Sequence, residues 1–315
     1  EINFSGNLVL NAVADEETGG NLGTGWCLEK ILTPRSIKCD FAIIGEASGL
    51  SPLPKSIIIG EKGRLEVKVV TNGISCHSWG PFMGKNAIYM MSDLIQNLDK
   101  LDEFIPTVEP PMREEKLKDL MTLAFPSKEI FQKIYNEQPL LQNLLFALTQ
   151  FTKSLNIIRG GIKDNVVPDF CEAVIDFRLL PGQTAEIIIN GLTKLINKLG
   201  YQVKKQPTGE AEEIFFYLEV IEKSDPSIWE NWENSVALKD FYDISEKIYK
   251  KKPFYFLFPA TTDAYFYRNS GYCPETIIFG PGRGSTAHTT DEYIEIEDFI
   301  SAIKVYTLFA YKFLK

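Results

Sequence analysis

The stretch LVLNAVADEETGG, residues 8–20, joins an apolar run to three acidic residues and a glycine turn. A mostly apolar run of this length is typical of a strand that is covered on both faces of its sheet. Two similar stretches follow, FAIIGE at residues 41–46 and TIIFGPG at residues 276–282. In open α/β sheets, ligands bind beyond the carboxyl ends of the strands. The three stretches therefore predict an α/β sheet with acidic and glycine-rich turns at one rim.

The middle of the chain has a different hydrophobic pattern. Residues 65–69 and 171–179 alternate between apolar and polar side chains, which is typical of a sheet with one solvated face. Apolar residues with helical spacing occur at 88–98 and again at 188–199. Taken in order, these segments form a split βαβ arrangement. We therefore predict an inserted α+β domain over residues 61–209.

The larger domain is then built from both ends of the chain, residues 1–60 and 210–315. A proline-interrupted helical stretch at 101–153 is assigned to the insertion. The predicted fold class is α/β, with a mostly parallel sheet in the larger domain and an inserted split βαβ domain.

The composition narrows the classes of partner. Lys and Arg number 33 against 42 for Asp and Glu, a formal net charge of −9, which argues against a nucleic-acid partner. The sequence contains no apolar run of the length that a bilayer requires, so no membrane partner is expected. Five scattered cysteines without a C-x-x-C pair indicate a reducing, cytoplasmic setting and not a disulfide framework.

Glu16 and Glu17 are adjacent carboxylates at a predicted strand end. They repel each other unless a proton or a cation lies between them. Together with Glu46 and His288, which follow the other two apolar runs, they form a ligand set suited to Zn²⁺, Co²⁺ or Mn²⁺. An acidic run can equally be a solvated loop, and a single histidine is often incidental.

Six motifs occur in a fixed order along the chain: ADEETGG at 14–20, GE at 45–46, GISCHS at 73–78, GG at 160–161 with NVVP at 165–168, DFR at 176–178, and GPG at 280–282 with AH at 287–288. In this combination the chain resembles the M20 family of metallopeptidases and amidohydrolases. That family includes acetylornithine deacetylases, succinyl-diaminopimelate desuccinylases and carboxypeptidases.

The resemblance implies a role for each rim residue. Glu16 would be the general base that takes a proton from the attacking water. Glu17 and His288 would bind one metal ion, and Glu46 would bind a second. The implied cofactor is Zn²⁺, or Co²⁺ or Mn²⁺, with two ions in a complete site. The implied reaction is hydrolysis of an amide bond in an N-acyl amino acid or a peptide with a free carboxylate.

The resemblance also implies that the inserted domain is a lid through which two copies form a homodimer. His77 would reach the partner subunit's site and donate to the developing oxyanion. Asn165 and Arg178 would contact the substrate, and the backbone of Gly282 would face it. Two simpler interpretations stay open: His77 as a surface turn residue, and Arg178 as the ion-pair partner of Asp176.

The family's other metal ligands, a His-x-Asp motif and a bridging Asp, precede the Asp-Glu-Glu strand, whereas here only residues 1–14 precede it. We therefore expect the chain to lack an N-terminal segment and to hydrolyse little by itself. One alternative is a catalytically deficient dimerising or binding protein of the same fold. Another is a nucleotide-binding α/β protein, although the glycines at 280–284 lack the dinucleotide fingerprint.

Overall fold

The computed structural model describes residues 4–49, 55–205, 213–284, 287 and 289–315. The strands are β1 (Ala42–Ile44), β2 (Ser56–Glu61), β3 (Gly63–Asn72), β4 (Cys76–His77), β5 (Thr152–Gly160), β6 (Val166–Val167), β7 (Phe170–Leu179), β8 (Val203–Lys204), β9 (Phe215–Ser224), β10 (Ser227–Ile228), β11 (Phe254–Phe258) and β12 (Thr276–Ile278). The helices are α1 (Ala87–Gln96), α2 (Glu114–Thr122), α3 (Lys128–Glu137), α4 (Pro139–Thr149), α5 (Ala185–Lys198), α6 (Val236–Tyr249), α7 (Ala264–Asn269) and α8 (Ile296–Phe313).

The chain divides into two compact units. Unit 1 comprises Glu1–Lys62, Pro110–Gln150 and Ser227–Lys315, and unit 2 comprises Gly63–Glu109 and Phe151–Pro226. Within the part of the chain that the structure describes, no helix has the length and hydropathy needed to cross a membrane.

This division differs from the predicted insertion over 61–209 in two places. Residues 110–150 belong to unit 1, because apolar side chains of α2 and α4 join the same core as those of β2 and β11. Residues 213–226 belong to unit 2, because β9 pairs along the length of β3. Hydrophobic periodicity shows which face of a helix is buried but not which core that helix joins.

The sheet of unit 1 has the order β1-β12-β2-β10, with β11 also beside β2. The pairs β1/β12 and β2/β11 are parallel, whereas β12/β2 and β2/β10 are antiparallel. The predicted α/β class is confirmed, but the sheet is mixed and not mostly parallel. Every residue of β2 is buried. A continuous apolar run such as that of β2 predicts that the strand is buried, but it does not determine whether the neighbouring strands are parallel or antiparallel to it.

The core of unit 1 lies between this sheet and the helices that cover it. Ile57 and Ile59 of β2 pack with Phe254 and Phe256 of β11, and apolar side chains of helices α6 and α8 belong to the same core. The rings of Phe241 on α6 and Phe309 on α8 meet edge to face, with centroids 5.1 Å apart. This core supports β1 and β12, whose carboxyl ends carry Glu46 and the turn at 280–282.

The predicted strand at residues 8–14 is not formed. Residues 7–13 pair with no strand among the described residues, and the side chains of Leu8 and Leu10 are 77% and 92% exposed. The prediction was wrong because an apolar run becomes a buried strand only where a neighbouring strand satisfies its backbone groups.

Unit 2 is built on a five-stranded sheet of order β5-β7-β3-β9-β8. Buried and half-buried residues alternate along β3, and the buried ones pack against α1 and α5. The opposite face of β3 carries Arg64, which pairs with Glu66, Asp176 and Glu222. A separate two-stranded ribbon, β4 with β6, places His77 opposite Val166.

Candidate active site

The acidic turn at residues 15–20 is organised by Asp15. Its backbone is left-handed, with φ 75°, and its carbonyl accepts hydrogen bonds from Thr18 N at 3.1 Å and Gly20 N at 2.8 Å. Its carboxylate accepts from Leu22 N at 2.7 Å. Asp15 is therefore occupied in holding the turn, which leaves the next two residues, Glu16 and Glu17, on a short helical turn.

Asp263 is a buried carboxylate that lies against this turn, and sequence reasoning assigned it no role. It accepts a hydrogen bond of 2.7 Å from the hydroxyl of Thr24, and burial raises its pKa. A Cβ atom on Gly20 would come 2.2 Å from Asp263 Oδ1. The glycine turn thus lets the two segments approach closely. The signal that could have found Asp263 is an acidic residue after a buried strand, here β11.

Carboxylates from several segments of unit 1 act on Glu16. Burial, together with the negative charges of Glu46, Asp263, Glu17 and Glu61, raises the pKa of Glu16 to about 7. The structure therefore brings Glu46, which follows β1, into electrostatic range of the acidic turn, as the rim pattern predicted. Mutually repelling carboxylates of this kind are stabilised by a proton or a cation between them.

The turns after β1 and β12 are packed against each other. A Cβ atom on Gly280 would come 2.5 Å from the carbonyl oxygen of Glu46, so only glycine permits this approach. Gly49 N donates to Gly282 O at 3.1 Å, and Ser48 N donates to Gly280 O at 3.4 Å. Glu46 is thereby held beside the glycine turn that leads towards residue 288.

The backbone of Gly282 is bonded within the protein. Its N–H donates to Asp298 Oδ2 at 2.8 Å, and its carbonyl accepts from Lys55 Nζ at 3.1 Å. Lys55 is buried and pairs with Asp298 at 2.8 Å, and it also donates to Gly280 O at 2.7 Å. Lys55 and Asp298 thus hold the glycine turn in place. Neither residue was predicted from the sequence. The substrate contact assigned to Gly282 stays a prediction.

A metal centre can be tested against the donor atoms of unit 1. Carboxylate oxygens are suitable ligands for Zn²⁺, Mn²⁺ or Co²⁺, and Glu17 and Glu46 stay the predicted donors. Across residues 4–49, 55–205, 213–284, 287 and 289–315, no group of three or more His, Cys, Asp or Glu side chains is arranged to hold a metal ion. His288, the predicted imidazole ligand, lies outside the described residues. The described carboxylates fit the charge of a divalent cation, and their roles as ligands stay predictions.

His77 lies in unit 2 at the end of the short strand β4. Its ring is 6.4 Å from that of Trp79, centroid to centroid, and its Nδ1 accepts a hydrogen bond of 3.4 Å from Trp79 N. The neutral imidazole then carries its proton on Nε2. An exposed imidazole with a proton on the outer nitrogen can donate to an oxyanion.

Asn165 lies beside this histidine turn, since its carbonyl accepts a hydrogen bond of 3.0 Å from Ser78 N. Its side-chain Oδ1 is buried and has no hydrogen-bond partner among the residues that the structure describes. A buried acceptor without a partner is costly, which favours a ligand that brings a donor to it.

Arg178 is engaged with Asp176. Its Nε donates to Asp176 Oδ1 at 2.7 Å, and Arg64 Nε donates to Asp176 Oδ2 at 2.8 Å. The structure thus places Arg178 in the ion pair that was its simpler interpretation. Its contact with a substrate carboxylate is not tested by this geometry.

Comparisons with known proteins agree with this architecture. The model of the M20 peptidase dimerisation domain matches residues 59–204. The chain is 28% identical to an uncharacterised metallohydrolase of Methanocaldococcus jannaschii, over 95% of this chain and 67% of the relative. It is 26% identical to a succinyl-diaminopimelate desuccinylase of Rickettsia felis, over 99% of this chain and 68% of that enzyme.

Solved structures share the fold. The M20 metallo-carboxypeptidase of Sulfolobus solfataricus superposes with a TM-score of 0.68 at 21% identity, covering 94% of this chain and 68% of that one. Human carnosine dipeptidase 1 gives a TM-score of 0.62 at 15% identity, covering 95% and 64%. An α/β unit with an acidic rim and a separate dimerisation unit define the class. The chain is similar to members of the M20 family of metallopeptidases and amidohydrolases, whose dimerisation-domain model covers residues 59–204, and it spans about two thirds of the length of these relatives.

Proposed function

We propose that this protein is a metal-dependent hydrolase that cleaves the amide bond of an N-acyl amino acid or of a peptide with a free carboxylate. The observation that carries the proposal is the gathering of Glu16, Glu46 and Asp263 from three separate segments of unit 1. Relatives described as metallohydrolases, carboxypeptidases and desuccinylases support the reaction class.

Glu16 is the general base in this mechanism. It takes a proton from the attacking water and passes it to the leaving amine. A carboxyl group with a pKa near neutrality performs both transfers efficiently, because the ideal catalytic pKa lies near the working pH. Divalent metal ions, one held by Glu17 and His288 and a second held by Glu46, would polarise the amide carbonyl when bound.

Unit 2 supplies the contacts to the substrate in this proposal. His77 donates from its Nε2 proton to the oxyanion in the site of a second copy, so the active form is a homodimer. Asn165 accepts a hydrogen bond from the substrate through its Oδ1, for which the described part of the chain offers no other partner. Arg178 leaves its ion pair with Asp176 and binds the free carboxylate of the substrate.

The general-base assignment is tested with Glu16→Gln. The variant should lower kcat by at least about 100-fold on N-acyl amino acids and dipeptides, because a positioned base contributes at least that factor. Binding of Zn²⁺, measured by titration calorimetry, should persist. Glu230→Gln, at an exposed position of unit 1, is the matched control and should retain activity. Undiminished turnover in Glu16→Gln would exclude the assignment.

A dimerising binding protein without catalysis is the second candidate. The observation in its favour is that the described residues contain no group of three or more side chains placed to hold a metal ion. The same titration separates the two. Zn²⁺ uptake with turnover identifies the hydrolase, whereas a dimer without uptake or turnover identifies the binding protein.

A further inference from the structure

Two cysteines lie just before the amino ends of the strands that lead to the candidate site. Cys39 precedes β1 and Cys273 precedes β12. These strands are parallel neighbours, with Ala42 opposite Thr276. Each cysteine is three residues ahead of its paired residue, from 39 to 42 and from 273 to 276, so the register brings the two side by side.

Contacts on either side hold the two segments together. The hydroxyl of Tyr272 donates to Ile37 O at 2.8 Å, and Ala42 N donates to Glu275 O at 3.0 Å. Cys39 and Cys273 pack in one apolar cluster between these bonds, and their thiol groups lie close enough for each to shift the pKa of the other. The register of β1 and β12 and the shared cluster therefore place the two sulfur atoms close to each other.

The two thiols differ in access and in reactivity. Cys39 is half-buried and within reach of a solute, whereas Cys273 is completely buried. Their mutual hydrogen bond lowers the pKa of Cys39, and the same bond together with burial raises the pKa of Cys273. The accessible Cys39 thiolate starts the exchange, and Cys273, which is shielded from the oxidant, can react only with the Cys39 sulfur beside it.

We propose that Cys39 and Cys273 form a reversible disulfide when the protein meets a small disulfide oxidant such as oxidised glutathione. The Cys39 thiolate attacks one sulfur of the oxidant, and one glutathione thiolate leaves. Cys273 then attacks the Cys39 sulfur, and the second glutathione departs with the proton that Cys273 gives up. Two protein thiols are oxidised to one disulfide, while the oxidant is reduced to two thiols.

The bond would secure the strand that presents Glu46. Within the described part of the chain, β1 is a three-residue strand whose only pairing is with β12. Cys39 and Cys273 are separated by 233 residues, from 40 to 272, so the cross-link closes a long loop and restricts the unfolded chain. Oxidation should therefore raise the melting temperature and slow hydrogen exchange at the amides of Ile43 and Ile44.

The test uses the full chain, reduced and then incubated with excess oxidised glutathione. We expect a mass loss of about 2 Da, a peptide that joins Cys39 to Cys273, and a melting temperature higher by about 5 °C that dithiothreitol reverses. The experiment needs no hydrolysis assay, so its result is independent of the proposed function.

Matched variants decide the assignment. Cys27→Ser removes another half-buried thiol and should leave the mass loss and the thermal shift intact. Cys39→Ser should abolish both, and Cys273→Ala repeats the test from the other side. Circular dichroism checks that each reduced variant is folded. A stable mixed disulfide with glutathione, a bond between Cys27 and Cys39, or no oxidation at all would each overturn the proposal.

Discussion

Gly20 meets two separate requirements of the acidic turn. Its φ of 67° is in the left-handed region, and the space where a Cβ would stand is taken by Asp263 and Phe266. The residue therefore couples the turn that carries Glu16 to the segment that carries Asp263.

Gly20→Ala should destabilise the protein by at least about 3 kcal/mol, because backbone strain adds to a clash with a buried carboxylate. Urea unfolding measures the change. Gly200→Ala is the matched control, since Gly200 also has positive φ, at 88°, but no atom of the described residues lies within 4 Å of the added Cβ. It should cost only about 1 kcal/mol. Equal losses in the two variants would contradict the close approach of Asp263.

Glu16 makes the stability of the metal-free protein depend on pH. Its folded pKa of about 7 lies above the ordinary value of 4.5, so the folded state binds the proton more tightly than the unfolded state. Its stabilising contribution is complete below pH 4.5 and is lost as the pH rises through 7. After allowance for solvent screening of this half-buried group, the loss is on the order of 1 kcal/mol.

Glu16→Gln should remove this part of the pH profile and make the metal-free protein more stable than the wild type at pH 8. Urea unfolding in the presence of a chelator, from pH 4.5 to 8, measures the difference. If the free energies of unfolding of the two proteins changed with pH in the same way, Glu16 would not be held among the other carboxylates.

Helix α1 illustrates how a local signal defines an element. Asn86 precedes it, and its side-chain oxygen accepts hydrogen bonds from Ile88 N at 2.9 Å and Tyr89 N at 3.3 Å. These bonds satisfy backbone donors that have no partner within the helix. Asn86 is therefore the N-terminal cap of this helix.

Asn86→Ala should destabilise unit 2 by about 1 kcal/mol, because two backbone donors lose their acceptor. Asn86→Ser should retain most of the stability, since serine also caps. Asn190→Ala, within α5 and exposed, is the control and should be neutral or slightly stabilising through helix propensity. Chemical denaturation compares the three, and a loss shared by Asn190→Ala would point to a general effect of removing asparagine.

At the scale of elements, the predictions held where the pattern was local. The alternation along β3 and β7, the helices that cover them and the acid after β1 could all be predicted from sequence. The strand at residues 8–14 could not, because pairing depends on a neighbour that the segment itself does not encode. The direction of β12 relative to β2 was undetermined for the same reason.

At the scale of the whole molecule, the main prediction is that two copies of the chain associate through unit 2, most of which matches the dimerisation-domain model. Strand β5 lies at an edge of its sheet, and the side chains of Ile157 and Ile158 on it are exposed. An exposed apolar edge strand is suited to pairing with a second copy.

We expect sedimentation equilibrium to give about twice the chain mass of 35.7 kDa. Ile158→Lys should shift the equilibrium towards the monomer by at least tenfold in dissociation constant, because a charge on this edge opposes pairing. Val236→Lys, at an exposed apolar position of unit 1, is the control and should leave the mass unchanged. Equal weakening by both variants would place the contact elsewhere.

The sequence by itself determined the local features of this protein: the alternating strands, the acidic and glycine-rich turns, and motifs specific enough to indicate the M20 family. Only the tertiary structure decided that residues 110–150 join unit 1, that its sheet is mixed, and that Asp263 and Glu46 act on Glu16. The physical reason is that periodicity records which side of an element is buried. The partner, direction and electrostatic neighbours of that element depend on contacts between residues far apart in the chain.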